Sequence, residues 1–200
     1  MENSPSSLFK DSIKYGIILG LISIILSVLI YVFDLVTISL WSGAIVGLLT
    51  LIVYFIAILI LIKNYRDKIL GGFLKYGRGL AFGTITGIYA AILIAAYTFL
   101  FNEVIDPDYQ KNTMEKVSEM TVDYLYKAGL PDDQIEKTID MMQTKEIPSA
   151  MSASLLSIPG NIIFVFIVSL IAAAFAKKKK DPYLSAMEEI EDNDTNNTNS

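Results

Sequence analysis

The chain has 200 residues, of which 53% are apolar and 18% charged, and its mean hydropathy is +0.49. So few charges among so many aliphatic residues exclude an ordinary soluble domain, and a formal net charge of −5 argues against a nucleic-acid binder. With no Cys and no His, a disulfide framework, a thiolate nucleophile, a Cys/His zinc site and a histidine base are all excluded.

Residues 1–14 form a short N-terminal segment carrying Lys10 and Lys14. The first charge-free stretch, 15–33, contains 13 residues of Leu, Ile, Val or Phe. These favour membrane insertion by about 4 to 8 kcal/mol before polar residues are counted. The stretch is longer than a signal-peptide core and no A-x-A-like site follows it, so it is expected to be retained. Residues 35–40 then turn the chain, with Trp41 at the membrane interface and a second span over 41–62. The loop from 63 to 78 is basic. A third span covers 79–102, and a fourth has its membrane core near 154–176, with 147–153 as an interfacial lead-in. Pro159-Gly160-Asn161 in the fourth span reads as a kink, with an open ligand-facing break as the alternative. Lys177 to Lys180 open a tail whose remainder, 181–200, turns acidic and is expected to be disordered.

Each stretch is about the length a helix needs to cross the hydrocarbon core. The expected fold is therefore an all-α integral membrane four-helix bundle spanning 15–180. Its partner by composition is the lipid bilayer.

Charge bias sets the expected orientation. Lys10, Lys14, Lys63, Arg66, Lys68, Lys75, Arg78 and the Lys177–Lys180 run all fall on one side of a four-span topology. The turn at Asp34 carries no base. The positive-inside rule places both termini in the cytoplasm.

Lipid tails are as apolar as Leu, so spans associate through close packing of small residues. Gly79, Gly83, Gly87, Ala91 and Ala95 form such a stripe on the third span. Gly16 and Gly20 do so on the first, and Gly43 and Gly47 on the second. The third-span stripe can pack within one bundle or against a second copy of the chain.

The segment 103–146 is longer than a bare connection and strongly acidic. Asp106 and Pro107 read as an N-cap and N1 pair opening a helix. Met114, Val117, Thr121, Tyr124, Leu125 and Ala128 recur at helical spacing on one face. Gly129 and Pro131 end that helix. Asp133 and Glu136 have capping-box spacing for a second, whose apolar face holds Ile135, Ile139 and Met142. The two helices are expected as an extracytoplasmic amphipathic hairpin between spans three and four. Their stripes can pack on each other, lie on the membrane surface, or dock another protein.

No catalytic, cofactor-binding or metal-binding set is expected. An EF-hand beginning at Asp106 fails, because Lys111 stands where Gly is needed and Val117 where Glu is needed. Gly77, Gly79 and Gly83 lead into a membrane helix rather than joining a strand to a helix, so a dinucleotide reading also fails. The span interiors carry no ionisable group of the kind that marks proton pathways.

Three features resemble a family of small bacterial four-span membrane proteins catalogued as a domain of unknown function. They are Tyr15-Gly16 opening the first span, the Phe73-to-Gly83 run FLKYGRGLAFG, and Asp106-Pro107-Asp108-Tyr109. The likeness covers about residues 8–180. It implies a fold and an inner-membrane location, and no activity. The expected function is a non-enzymatic accessory or scaffold protein that binds another membrane or envelope protein through the outer loop. A small oligomeric transporter or channel is the alternative.

Overall fold

The computed structural model describes residues 5–143 and 148–179. The tail expected to be disordered, 181–200, lies outside the described residues, as do Ile147 and Lys180. Among the described residues the chain is all-helical. Its helices are α1 (Pro5–Val32), α2 (Ser42–Lys68), α3 (Tyr76–Leu100), α4 (Tyr109–Lys127), α5 (Asp132–Gln143) and α6 (Ala150–Ala176). A π-helical turn, Phe101–Ile105, extends α3.

Helices α1, α2, α3 with its π turn, and α6 are each long and apolar enough to cross a membrane. Even the best covered of them, α3, has only 44% of its apolar window buried. Ile25, Ile45, Leu156 and Phe175 are each at least 60% exposed. Water would penalise such a surface heavily, whereas lipid matches it.

The burial pattern explains the packing order. On α3 the buried residues are Gly79, Phe82, Gly83, Thr86, Gly87, Ala90, Ala91 and Ala95. They occupy a broad face, and α3 accordingly packs along both α6 and α1. On α1 the buried set is Ser12, Tyr15, Leu19 and Ser23, with Gly16 and Gly20 beside it. On α2 it is Ser42 at the start and then Tyr54, Ala57, Ile58, Leu61, Ile62 and Tyr65 at three- and four-residue spacing, and α2 packs chiefly on α6. The central pair is therefore α3 with α6, flanked by α1 and α2.

Helix α6 runs through Pro159 without a break. Asn161 Nδ2 donates to the Ser157 carbonyl at 2.8 Å, and Ser157 Oγ donates to the Ser154 carbonyl at 2.7 Å. These side chains bond back along α6 itself, which is one continuous helix rather than two half-helices.

One end of the bundle collects the basic residues. Gly71 and Gly72 have φ of +67° and +90°, which glycine adopts freely, and the Gly72 amide closes α2 onto the Arg66 carbonyl at 2.9 Å. Leu74 and Lys178 then exchange two backbone hydrogen bonds, at 2.9 and 3.0 Å. Arg66 Nη1 donates to the Ala176 carbonyl at 2.9 Å. That carbonyl belongs to the last turn of α6, where acceptors are unsatisfied and the helix dipole is negative. The α2–α3 loop and the end of α6 are thus tied together.

Candidate functional site

The third-span stripe faces a neighbour in its own chain. A Cβ on Gly79 would lie 3.4 Å from Ala173 Cβ, and one on Gly83 would lie 2.5 Å from Ser169 Oγ. One on Gly87 would lie 2.8 Å from Val165 Cβ. All three contacts are with α6. A Cβ on Gly16 would collide with the Tyr89 side chain and lie 3.0 Å from the Thr86 carbonyl oxygen. Gly20 meets Leu93 in the same way. Ala91 and Ala95 are also buried. The stripe is therefore occupied within the bundle.

Gly43 and Gly47 depart from the expectation of helix packing. Both are exposed, and a Cβ at either position would meet nothing within 4 Å. The physical reason is that, after Ser42, the buried residues of α2 begin only at Tyr54, and both glycines lie on the uncovered part that precedes it.

The end of the bundle that carries α4 and α5 is built on an aromatic cluster. Tyr31 of α1 packs edge-on against Phe101 and Tyr109, with ring centroids 4.9 and 5.2 Å away. Phe101 and Tyr109 meet at 5.4 Å, and Tyr97 joins Phe101 at 5.8 Å. Such pairs contribute about 0.5 to 1.5 kcal/mol each beyond area burial. The π turn sets Phe101 into this cluster, closing on a bond from the Asp106 amide to the Phe101 carbonyl at 2.9 Å. Burial, reinforced by the Asp34 and Asp106 carboxylates, raises the Tyr109 phenol above its ordinary pKa.

The two acidic caps are placed differently from the sequence expectation. Helix α4 begins at Tyr109, not after Asp106, and the Asp106 carboxylate accepts from the Tyr31 hydroxyl at 3.1 Å. An interhelical partner has taken the capping oxygen. Helix α5 begins at Asp132, so Asp133 lies inside the first turn, where a carboxylate still favours the dipole.

Helices α4 and α5 touch, and their apolar stripes are partly covered. Ile135 is 1% exposed. Met114, Val117, Thr121, Leu125, Ile139 and Met142 are half-buried, and Ser118 Oγ lies 3.4 Å from the Met142 sulfur. Of the expected α4 and α5 faces, Tyr124, at 49%, and Ala128 are exposed. Tyr126 and Met141, absent from those faces, are exposed as well. Gly129 has φ +73°, the left-handed conformation that ends α4.

Lys116 of α4 reaches across to Asp34 in the turn after α1, at 3.1 Å. Neither residue stood out in the sequence as a contact, because 82 positions separate them. Its nearest signal was Asp34 as a lone acid between two spans. Hydrogen bonds from Thr37 and Lys116 hold the Asp34 carboxyl below the usual carboxylate range. A depressed folded pKa contributes stability above the unfolded value, and that contribution disappears as pH falls through the folded pKa. Amide protection factors across α4, corrected for the intrinsic exchange rate, are therefore expected to be flat from neutral pH down to the usual carboxylate range and to fall below it. Asp34→Asn is expected to show the lower protection at neutral pH and to converge with the unaltered chain once the carboxyl is protonated.

Four apolar helices, with a two-helix segment clamped to one end and basic residues at the other, define a multi-pass helical membrane protein. The model of a family described as a protein of unknown function, DUF4199, matches residues 14–178, and the chain belongs to that family. No curated protein and no solved structure matches it. Among the described residues no cluster of acidic side chains is arranged to hold a metal ion.

Proposed function

We propose that this protein is a non-enzymatic accessory or scaffold of the inner membrane, with both termini cytoplasmic. It binds another membrane or envelope protein through the α4–α5 end. The observation that carries this reading is a two-helix platform held to the bundle by Tyr31, Phe101, Tyr109 and the Asp34–Lys116 pair. An idle connection between two spans needs no such anchoring. The platform presents Tyr124, Tyr126 and Met141 to solvent, a composition suited to an interface core. At the same end, Gly43 and Gly47 leave α2 with an unused close-approach face. A partner with its own span can use both. The placement of that end outside the cytoplasm rests on the basic residues at the opposite end.

The test is crosslinking in the native membrane with a tagged chain, read by mass spectrometry. A reproducible partner is expected, and it is expected to vanish when 106–146 is replaced by a flexible linker and to weaken in Gly47→Leu. Retention of every partner by the linker variant overturns the reading.

A further inference from the structure

At the basic end, the loop after α2, the start of α3 and the residues after α6 border a cavity of about 760 Å3. Lys75, Arg78, Lys178 and Lys179 supply its charge. Leu70, Phe73 and Leu74 supply an apolar wall. Among the described residues, no acidic residue lines it.

Two of these four residues are tied into the fold. Arg78 Nε donates to the Tyr65 hydroxyl at 3.2 Å, which fixes one side of its guanidinium. The Lys178 backbone is fixed by its paired bonds to Leu74. Asp67, the acid at this end of α2, is already held by Arg66 through bonds of 2.7 and 3.0 Å. Helix α3 begins here with no side-chain cap and no acid in its first turn, so its positive end adds to the same field.

We propose that this cavity binds one anionic phospholipid. Its phosphate sits among Lys75, Arg78, Lys178 and Lys179, and its acyl chains run down past Leu70, Phe73 and Leu74. Charge complementarity selects an anion, and the apolar wall selects one that carries a hydrocarbon tail. The cavity lies where α2 and α6 end and α3 begins, at the headgroup level for these spans. Its volume falls in the range of formed ligand pockets, about 300 to 1,000 Å3.

The experiment uses the full chain purified in mild detergent, with phosphatidylglycerol or phosphatidylcholine added and retained lipid read by native mass spectrometry. One retained phosphatidylglycerol per chain is expected, in preference to phosphatidylcholine. The triple variant Lys75→Gln, Lys178→Gln, Lys179→Gln is expected to lose that occupancy on the order of tenfold. Lys10→Gln, Lys14→Gln, Lys68→Gln removes the same charge from the same end but outside the cavity, and is expected to keep it. Equal losses in the two triples overturn the proposal in favour of diffuse surface attraction. Equal retention of the two lipids overturns it also. Displacement of the lipid by inorganic phosphate shows a soluble-phosphate site instead and overturns the lipid reading. A phosphatidylglycerol with a photoreactive acyl chain is expected to label the peptide containing residues 70–75 of the unaltered chain. Labelling confined to other segments counts against the proposal, whatever the folding of the variants.

Discussion

Gly87→Leu is expected to unseat α3 from α6 and to cost about 3 kcal/mol or more. At this position even alanine must displace something, because a Cβ would lie 2.5 Å from Val165 Cγ1 and 2.8 Å from Val165 Cβ. Leucine adds three further carbons to a contact with no room for one. Overpacking of a dense interior costs about 1 to 3 kcal/mol and occasionally more. In a bilayer no hydrophobic gain offsets the lost approach, because lipid receives the separated helices as readily as they received each other. Gly83→Leu is expected to behave the same way against Ser169. The natural control is Gly43→Leu, where a side chain meets nothing within 4 Å and stability is expected to hold.

The measurement is unfolding of the detergent-solubilised protein by a denaturing detergent, followed by helicity. Because the chain has no cysteine, a Gly79→Cys, Ala173→Cys pair reports the α3–α6 contact without background. Its crosslinking is expected to fall in Gly87→Leu and persist in Gly43→Leu. The same result separates two uses of a small-residue stripe. A stripe serving a second copy would leave monomer stability intact and change the oligomeric state alone.

The fold was readable in the sequence for a physical reason. Spans announce themselves through uninterrupted apolar length, and Gly79, Gly83 and Gly87 announce close packing through a four-residue spacing. That spacing carries no information about the neighbour. Gly43 and Gly47 have the same spacing as Gly16 and Gly20, yet only the latter pair lies against another helix. What decides is which turns of α2 its neighbours cover, a property of helices distant in sequence. The α4–α5 end shows the same limit. Helical spacing identified the apolar stripes, and the left-handed Gly129 between them matches its local turn chemistry. The anchors were hidden, because Tyr31, Phe101 and Tyr109 come from three separate elements and meet only after the spans assemble. Asp106 illustrates the competition directly. Local chemistry made it a cap, and the Tyr31 hydroxyl took the carboxylate instead.

Tyr65→Ala is expected to be the most damaging substitution at the basic end, at about 3 to 5 kcal/mol. The Tyr65 side chain is fully buried and stacks on Phe82 with centroids 4.0 Å apart and planes 9° from parallel. Tyr15 packs edge-on against Phe82 at 5.1 Å, so the three rings join α1, α2 and α3. Truncation leaves a cavity where three helices meet and removes the oxygen that accepts from Arg78. Tyr65→Phe keeps the stack and loses only that bond, for which about 1.5 to 3 kcal/mol is the usual range of a bond to a charged donor. The ratio between the two variants therefore measures ring packing against guanidinium anchoring. A Tyr65→Phe cost equal to that of Tyr65→Ala would assign the whole effect to the Arg78 bond. Because Arg78 lines the lipid cavity, Tyr65→Phe is also expected to weaken phosphatidylglycerol retention while leaving helicity unchanged, an outcome that loss of packing alone does not produce.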